Sequence, residues 1–172
     1  MSAAVRPVRH SGPARPRSGI AMIEALISIL LLSMCALAYA ALQMRGLQSN
    51  SSAMWRSKAT LLAYDMADRM RANRSGVTAG AFNSLTSPGT APGCGSSSAC
   101  SPTTMAQLEY GNWSATLAAE LPGGSGVVCL DASPDDGAAA TPGCDGSGTM
   151  YAVKVFWSER GEVSRLVVPV RP

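Results

Sequence analysis

A chain of 172 residues with 15% charged and 5% aromatic residues suits one folded domain with appendages, not a disordered tail protein. Its formal charge of +3 is uneven: Arg6, Arg9, Arg15 and Arg17 lie in the first nineteen positions, leaving ten basic against eleven acidic residues beyond. That balance excludes a basic nucleic-acid surface past residue 19, and with the only histidine, His10, in the same opening stretch it makes an enzyme an unexpected answer.

Residues 1–19 are rich in Pro, Arg, Ser and Ala and carry no acid, so they have no core to pack. From Ile20 to Leu42 the sequence turns apolar for twenty-three residues, broken by one charge, Glu24. As a helix this run is roughly 35 Å long, enough for a bilayer core of about 30 Å. The arginines before it orient the amino end toward the cytoplasm. Helical character continues over 43–74, with no proline and a single glycine, Gly46. Trp55, Ala59, Leu62, Met66 and Met70 recur at helical steps and form one apolar stripe. Asn73, Arg74, Ser75 and Gly76 read as its stop. The prediction is one spine helix on the order of 80 Å long, apolar all round in its first half and amphipathic in its second.

The remainder, 75–172, reads as a globular head. Thirteen of the seventeen glycines fall between Gly76 and Gly148, so this stretch is loop-rich. Ser101-Pro102 looks like a cap and first turn, predicting a helix over about 103–121 with a disruption at Gly111-Asn112. Met105, Leu108, Leu117 and Leu121 are its expected apolar face. Strands are predicted over about 126–130, 150–157 and 162–170, the last two joined by the turn at Ser158–Gly161. In the middle one, Tyr151, Val153, Val155 and Trp157 share a face. The fold class is α+β: a long helix packed on a small antiparallel sheet.

Of the five cysteines, Cys35 lies inside the apolar span and is a small hydrophobe there. Cys94, Cys100, Cys129 and Cys144 lie in the loop-rich head, as expected for disulfides in an oxidising compartment. Local pairing, Cys94 with Cys100 and Cys129 with Cys144, is preferred among the three connectivities. Closing a loop of about fifteen residues stabilises by ~3 kcal/mol in the chain-entropy treatment. The competing four-cysteine metal site lacks the short C-x-x-C knuckles of zinc centres. No cofactor is expected. Asp131, Asp135, Asp136 and Asp145 leave calcium, or paired-carboxylate hydrolysis, as alternatives, although their spacing departs from the known calcium loop.

Glu24 is the anomaly, because an acid within an apolar span needs a cation. Cutting the chain after Gly19 would supply one, the α-amino group of Ile20 on a neighbouring subunit. The run Ser18-Gly19-Ile20-Ala21-Met22-Ile23-Glu24 resembles the leader junction of type IV prepilins. The resemblance implies cleavage between Gly19 and Ile20 by a prepilin peptidase, N-methylation of Ile20, and an assembly role for Glu24. Here Ile20 stands where the family most often has phenylalanine. LLAYDMADRMRANR from Leu61, LPGGSGVVCLDASPDDG from Leu121 and CDGSGTMYAVKVFWSER from Cys144 resemble the PilV-like minor pilins, the type IV pilus modification subgroup. That implies a pilin fold and a minor pilin that primes assembly with other minor pilins and the major pilin on an inner-membrane platform. It further implies incorporation at the pilus tip and support of adhesion and twitching motility. The head would be periplasmic before assembly and extracellular afterwards. A type II secretion pseudopilin would share leader and spine. A secreted protein cut near Ala38 or Ala40 would lose Glu24 altogether.

Overall fold

The computed structural model describes residues 18–89, 94 and 99–172; the basic leader read over 1–19 lies, apart from its last two positions, outside them. Seven elements follow in order: α1 (Ser18–Ala72), α2 (Arg74–Thr78), β1 (Ser84–Leu85), α3 (Pro102–Glu120), β2 (Ser125–Leu130), β3 (Tyr151–Glu159) and β4 (Glu162–Val170). The chain divides into two compact units between Leu47 and Gln48. In the first unit the helix is exposed along its whole described length, and it is long and apolar enough to cross a membrane by length and composition.

The second unit holds the core. All four strands pair antiparallel in the order β1-β2-β3-β4, with Val128 opposite Val153 and Val153 opposite Val168. On one face of this sheet lie α3 and the Gln48–Ala72 part of α1. Ala59, Ala63, Met66, Ala67 and Met70 are buried there, with Trp55 and Leu62 packed at the margin. Alanines at three of these positions keep the helix thin where it meets the other layers, and the two methionines fill the gaps between them. From the sheet, Tyr151, Val153, Val155 and Trp157 point into the same core, as period-two alternation requires.

α3 begins where Ser101 caps it, its hydroxyl accepting from the Thr104 N–H at 3.1 Å, with Pro102 in the first turn. The expected break at Gly111-Asn112 does not occur, and the helix runs through. Its buried stripe is Ala106, Tyr110, Trp113 and Leu117, continued by Leu121. Met105 and Leu108, expected on that face, are only half-buried. Two aromatic anchors decide the outcome. The Trp113 ring N–H donates to the Leu62 carbonyl at 2.8 Å, and the Tyr110 hydroxyl donates to the Gly126 carbonyl at 2.8 Å. A Cβ at Gly126 would overlap the Trp113 ring, so that strand residue must stay bare.

The stop read at Asn73–Gly76 also needs correcting. α1 ends at Ala72, but Asn73 restarts the chain as α2, its side-chain oxygen accepting from the Gly76 N–H at 3.0 Å. The Asn73 amide donates to the Pro102 carbonyl at 2.8 Å, fixing this corner against α3. Gly76 lies inside the new helix and not beyond the old one, and a Cβ there would meet the Asn73 amide at 2.7 Å.

Burial pushes the Tyr110 phenol from its usual 10.0 up to about 12. The unfolded chain therefore ionises at a pH where the folded chain keeps its proton, and unfolded protein binds fewer protons throughout that window. Stability is expected to be intact below pH 10.0 and to fall as pH rises toward about 12. Tyr151, also raised by burial, acts in the same direction. Equilibrium unfolding across this range should show a shallower decline for Tyr110→Phe than for the parent; parallel profiles would contradict the assignment.

Candidate functional site

The amino-terminal helix presents Gly19, Ile20 and Glu24 at the start of α1, all exposed. Ile20 and Glu24 are one helical turn apart and share a shallow groove with Ile23, Ile27 and Ser28. Ser28 Oγ donates to the Glu24 carbonyl at 2.7 Å and Ser33 Oγ to the Leu30 carbonyl at 2.8 Å. Both hydroxyls are thus satisfied inside the helix, as a lipid environment demands. Among the described residues the Glu24 carboxylate has no ion-pair partner. A side chain built at Gly19 would meet nothing within 4 Å, so no packing among the described residues explains the glycine. Cys35 is a free, exposed thiol on the same helix.

The head carries a second concentration of chemistry. Disulfides link Cys94 to Cys100 and Cys129 to Cys144. The segment 131–149 lies across the sheet face opposite the helices. There Lys154 and Asp131 are both fully buried, with Lys154 Nζ 2.6 Å from Asp131 Oδ2. The same ammonium donates to Asp136 Oδ1 at 3.0 Å, to the Asp136 carbonyl at 3.2 Å and to the Pro142 carbonyl at 2.8 Å. The ammonium is thus enclosed by four oxygens, the nearest being the Asp131 carboxylate. Asp131 Oδ1 accepts from the Ser133 N–H at 3.0 Å.

The remaining acids of the cluster are committed to loop architecture. The Lys154 hydrogen bond, helped by Ser133, holds the Asp136 carboxyl below its ordinary range. Asp145 is likewise held down, chiefly by the Ser147 N–H at 2.8 Å, and it also accepts from the Ala132 N–H at 3.2 Å. Asp135 contributes its carbonyl, which accepts from Arg165 at 2.6 Å, and the Gly137 carbonyl accepts from the same guanidinium. A metal would find Cys129, Asp131 and Cys144 close together. Their donor atoms do not fit one, since both sulfurs are bonded to each other and the carboxylate faces an ammonium.

Lys154 is not among the residues singled out from the sequence. The signal was present: a lone lysine between valines in a strand of otherwise apolar residues has to find a carboxylate or reach water. Lys58, a partly solvated side chain, joins α1 to α3. Its Nζ is 2.7 Å from Glu120 Oε2 and lies 5.4 Å from the centre of the Trp55 ring. That pairing, hydrogen bond first and charge second, lowers the Glu120 pKa.

Residues 41–110 match the family model described as Tt1218-like, Type IV pilin Tt1218. No curated protein and no solved structure gives a significant match to the chain. The matched stretch runs from α1 into α3, takes in the Cys94–Cys100 disulfide, and includes neither the Gly19–Glu24 region nor the segment closed by Cys129–Cys144. An apolar span on a long amino-terminal helix, a four-stranded antiparallel sheet and two disulfides make up an α+β architecture of the type IV pilin kind. The match and that architecture together support a type IV pilin.

Proposed function

We propose that this chain is a minor pilin of a type IV pilus, PilV-like in kind. It is made with a basic leader that a prepilin peptidase cuts between Gly19 and Ile20, and Ile20 is then N-methylated. Residues 20–42 hold it in the inner membrane, amino end cytoplasmic and head periplasmic, until the assembly platform extracts it. With other minor pilins it primes the filament, takes its place at the tip above the major pilin, and supports adhesion and twitching motility. The role is structural, not catalytic, and needs no cofactor.

One observation carries this reading. Glu24 is the only charge in an exposed apolar stretch, and it lies just beyond a glycine that no packing among the described residues requires. An acid placed there is costly to keep in lipid, and a free α-amino group created at Ile20 of a neighbour is the cation that would neutralise it. The glycine then answers to the peptidase, not to the fold.

The test is intact-mass analysis of the full chain from cells with and without the prepilin peptidase. The expected mature form starts at Ile20 and carries one added methyl group; loss of the enzyme leaves the leader attached. An amino terminus that is indifferent to the enzyme overturns the proposal, and one near Tyr39 or Ala41 identifies a secreted protein instead. Deleting the gene should reduce surface pili and spare exoprotein secretion; the reverse outcome assigns the chain to a secretion pseudopilus.

A further inference from the structure

Every polar contact of the Lys154 ammonium falls within one disulfide loop. Asp131, Asp136 and Pro142 all lie between Cys129 and Cys144, and together they surround Nζ with four oxygens at 2.6 to 3.2 Å. The segment that supplies them has little apolar material of its own. It is held at its root by the Asp131 N–H donating to the Met150 carbonyl at 3.1 Å, and at its middle by Arg165 of β4. Gly137 and Gly143 take positive φ values of 85° and 72°, and a Cβ at Gly137 would overlap the Pro142 carbonyl. The segment folds back on itself, and the Cys129–Cys144 bond is the one covalent tie that closes it.

Beneath it lies the sheet face that carries Lys154. Val127, Ala152 and Phe156 are at most 5% exposed there, beside Lys154 at 0%. Two free energies are therefore tied together. Closing a loop of this size stabilises the folded state by restricting the unfolded chain. A buried ammonium, in turn, is tolerated only while its oxygens are held around it. Without the covalent tie, the segment must hold its shape against its own conformational entropy, and Lys154 favours whichever state lets it reach water.

We propose that Cys129–Cys144 is a redox latch on the outer face of the sheet. Oxidised, it holds the 131–149 segment down and Lys154 stays buried. Reduced, the segment lifts, and Lys154, Phe156 and their neighbours come to the surface while the helix-side core persists. Opening needs a dithiol reductant: it gives two electrons to the Sγ–Sγ bond and becomes a disulfide itself, and its two protons leave Cys129 and Cys144 as thiols. Cys129 is fully buried and Cys144 half-buried, so attack falls on Cys144 Sγ. Capping of this face then waits for an oxidising compartment. The latch stands on the head's own geometry and holds whether or not the chain is a pilin.

The chain has only two lysines, Lys58 and Lys154, which makes the test internally controlled. The full chain in detergent is treated with an amine-acylating reagent, and the modification of each lysine is followed by peptide mass spectrometry. In the oxidised parent, Lys154 should react at least ~100-fold more slowly than the half-exposed, ion-paired Lys58, as protection by a closed segment requires. In Cys129→Ser/Cys144→Ser the gap should shrink to within ~10-fold, with Trp113 and Trp157 fluorescence still native-like. The Cys94→Ser/Cys100→Ser pair should leave Lys154 protected. Undiminished protection in the first variant, or equal deprotection in both, overturns the latch. If the first variant loses its fold, Lys154→Met decides. It should lower Tm in the oxidised parent, by stranding Asp131, and restore a cooperative unfolding transition in the serine background, by removing the ammonium that favours the open state. A Tm rise in the parent, or no restored transition in the serine background, overturns the proposal.

Discussion

Glu24→Ala chains are expected to fold their heads normally and insert in the membrane, yet to fall at least ~10-fold in sheared pilus fractions, as loss of a desolvated charge pair implies. The substitution makes the apolar span more uniformly greasy, so membrane residence improves if anything. What it removes is the one group on that surface that distinguishes one lateral register from another. Apolar side chains such as Ile23, Leu26 and Ile27, each more than half exposed, gain about as much from lipid as from a neighbouring helix. They can hold subunits together but do not choose where along the helix a neighbour stops. A carboxylate in low dielectric does choose, because its interaction with an α-amino group falls off steeply once the two are separated. Glu24→Gln keeps a polar group and loses the charge, so it should resemble Glu24→Ala. Glu24→Asp keeps the charge on a shorter stem and should be intermediate. Quantifying the chain in membrane and pilus fractions for all three checks the ordering. Incorporation of Glu24→Ala at the parental level would remove the electrostatic argument.

Trp113→Ala is expected to destabilise the head by about 3–5 kcal/mol, the usual cost of emptying a large aromatic site in a packed core. The indole is 1% exposed, sits at the junction of α1, α3 and β2, and leans on the Tyr110 ring with centroids 5.8 Å apart. Its N–H also ties α3 to the Leu62 carbonyl of α1 at 2.8 Å. Trp113→Phe keeps most of the volume and drops that hydrogen bond, for a smaller loss of about 1–2 kcal/mol. Gly126 supplies the cross-check. Gly126→Ala drives a methyl into the Trp113 ring, so it should be damaging in the parent and better tolerated beside Trp113→Ala. Because the residues touch, the two effects should be non-additive. Urea denaturation of the full chain in detergent, followed by circular dichroism, measures all four. A loss under about 1 kcal/mol for Trp113→Ala would show that the site refills, against the usual behaviour of cores.

The two variants act on different parts of the chain. Losing Glu24 should leave the head's denaturation midpoint unchanged, while losing Trp113 should lower that midpoint and reduce pilus incorporation only as far as folded head is lost. A fractionation experiment paired with a denaturation curve separates the two effects.

Much of this architecture is local in origin, and to that extent the sequence by itself determined it. An unbroken run of helix formers carries the backbone through α1 whatever surrounds it. The spacing of Trp55, Ala59, Leu62, Met66 and Met70 marks the buried side, since a period near 3.6 can point in only one direction. Ser101-Pro102 starts α3 by capping chemistry that acts within one turn. The alternation in Tyr151–Trp157 sets the faces of β3, because strand side chains have no other choice. Glu24 stands out for the same reason, an acid among apolar neighbours, whereas Gly19 is marked by the resemblance of its junction to prepilin leaders.

Tertiary structure decided whatever depended on residues distant in the chain. Met105 and Leu108 are as apolar as any helix face needs, but Tyr110 and Trp113 won the core because their polar tips reach the Gly126 and Leu62 carbonyls. Gly76 is a fair stop signal on its own, yet Asn73 and Pro102 meet around it and turn it into part of another helix. The two-residue strand β1 exists only because β2 arrives to pair with it. The acids at 131, 136 and 145 had the composition of a cation loop, and only the folded chain places Lys154 among the first two of them. Propensity and periodicity act over a few residues; hydrogen-bond satisfaction and charge neutralisation in a buried place depend on who the neighbours are, and only folding supplies those.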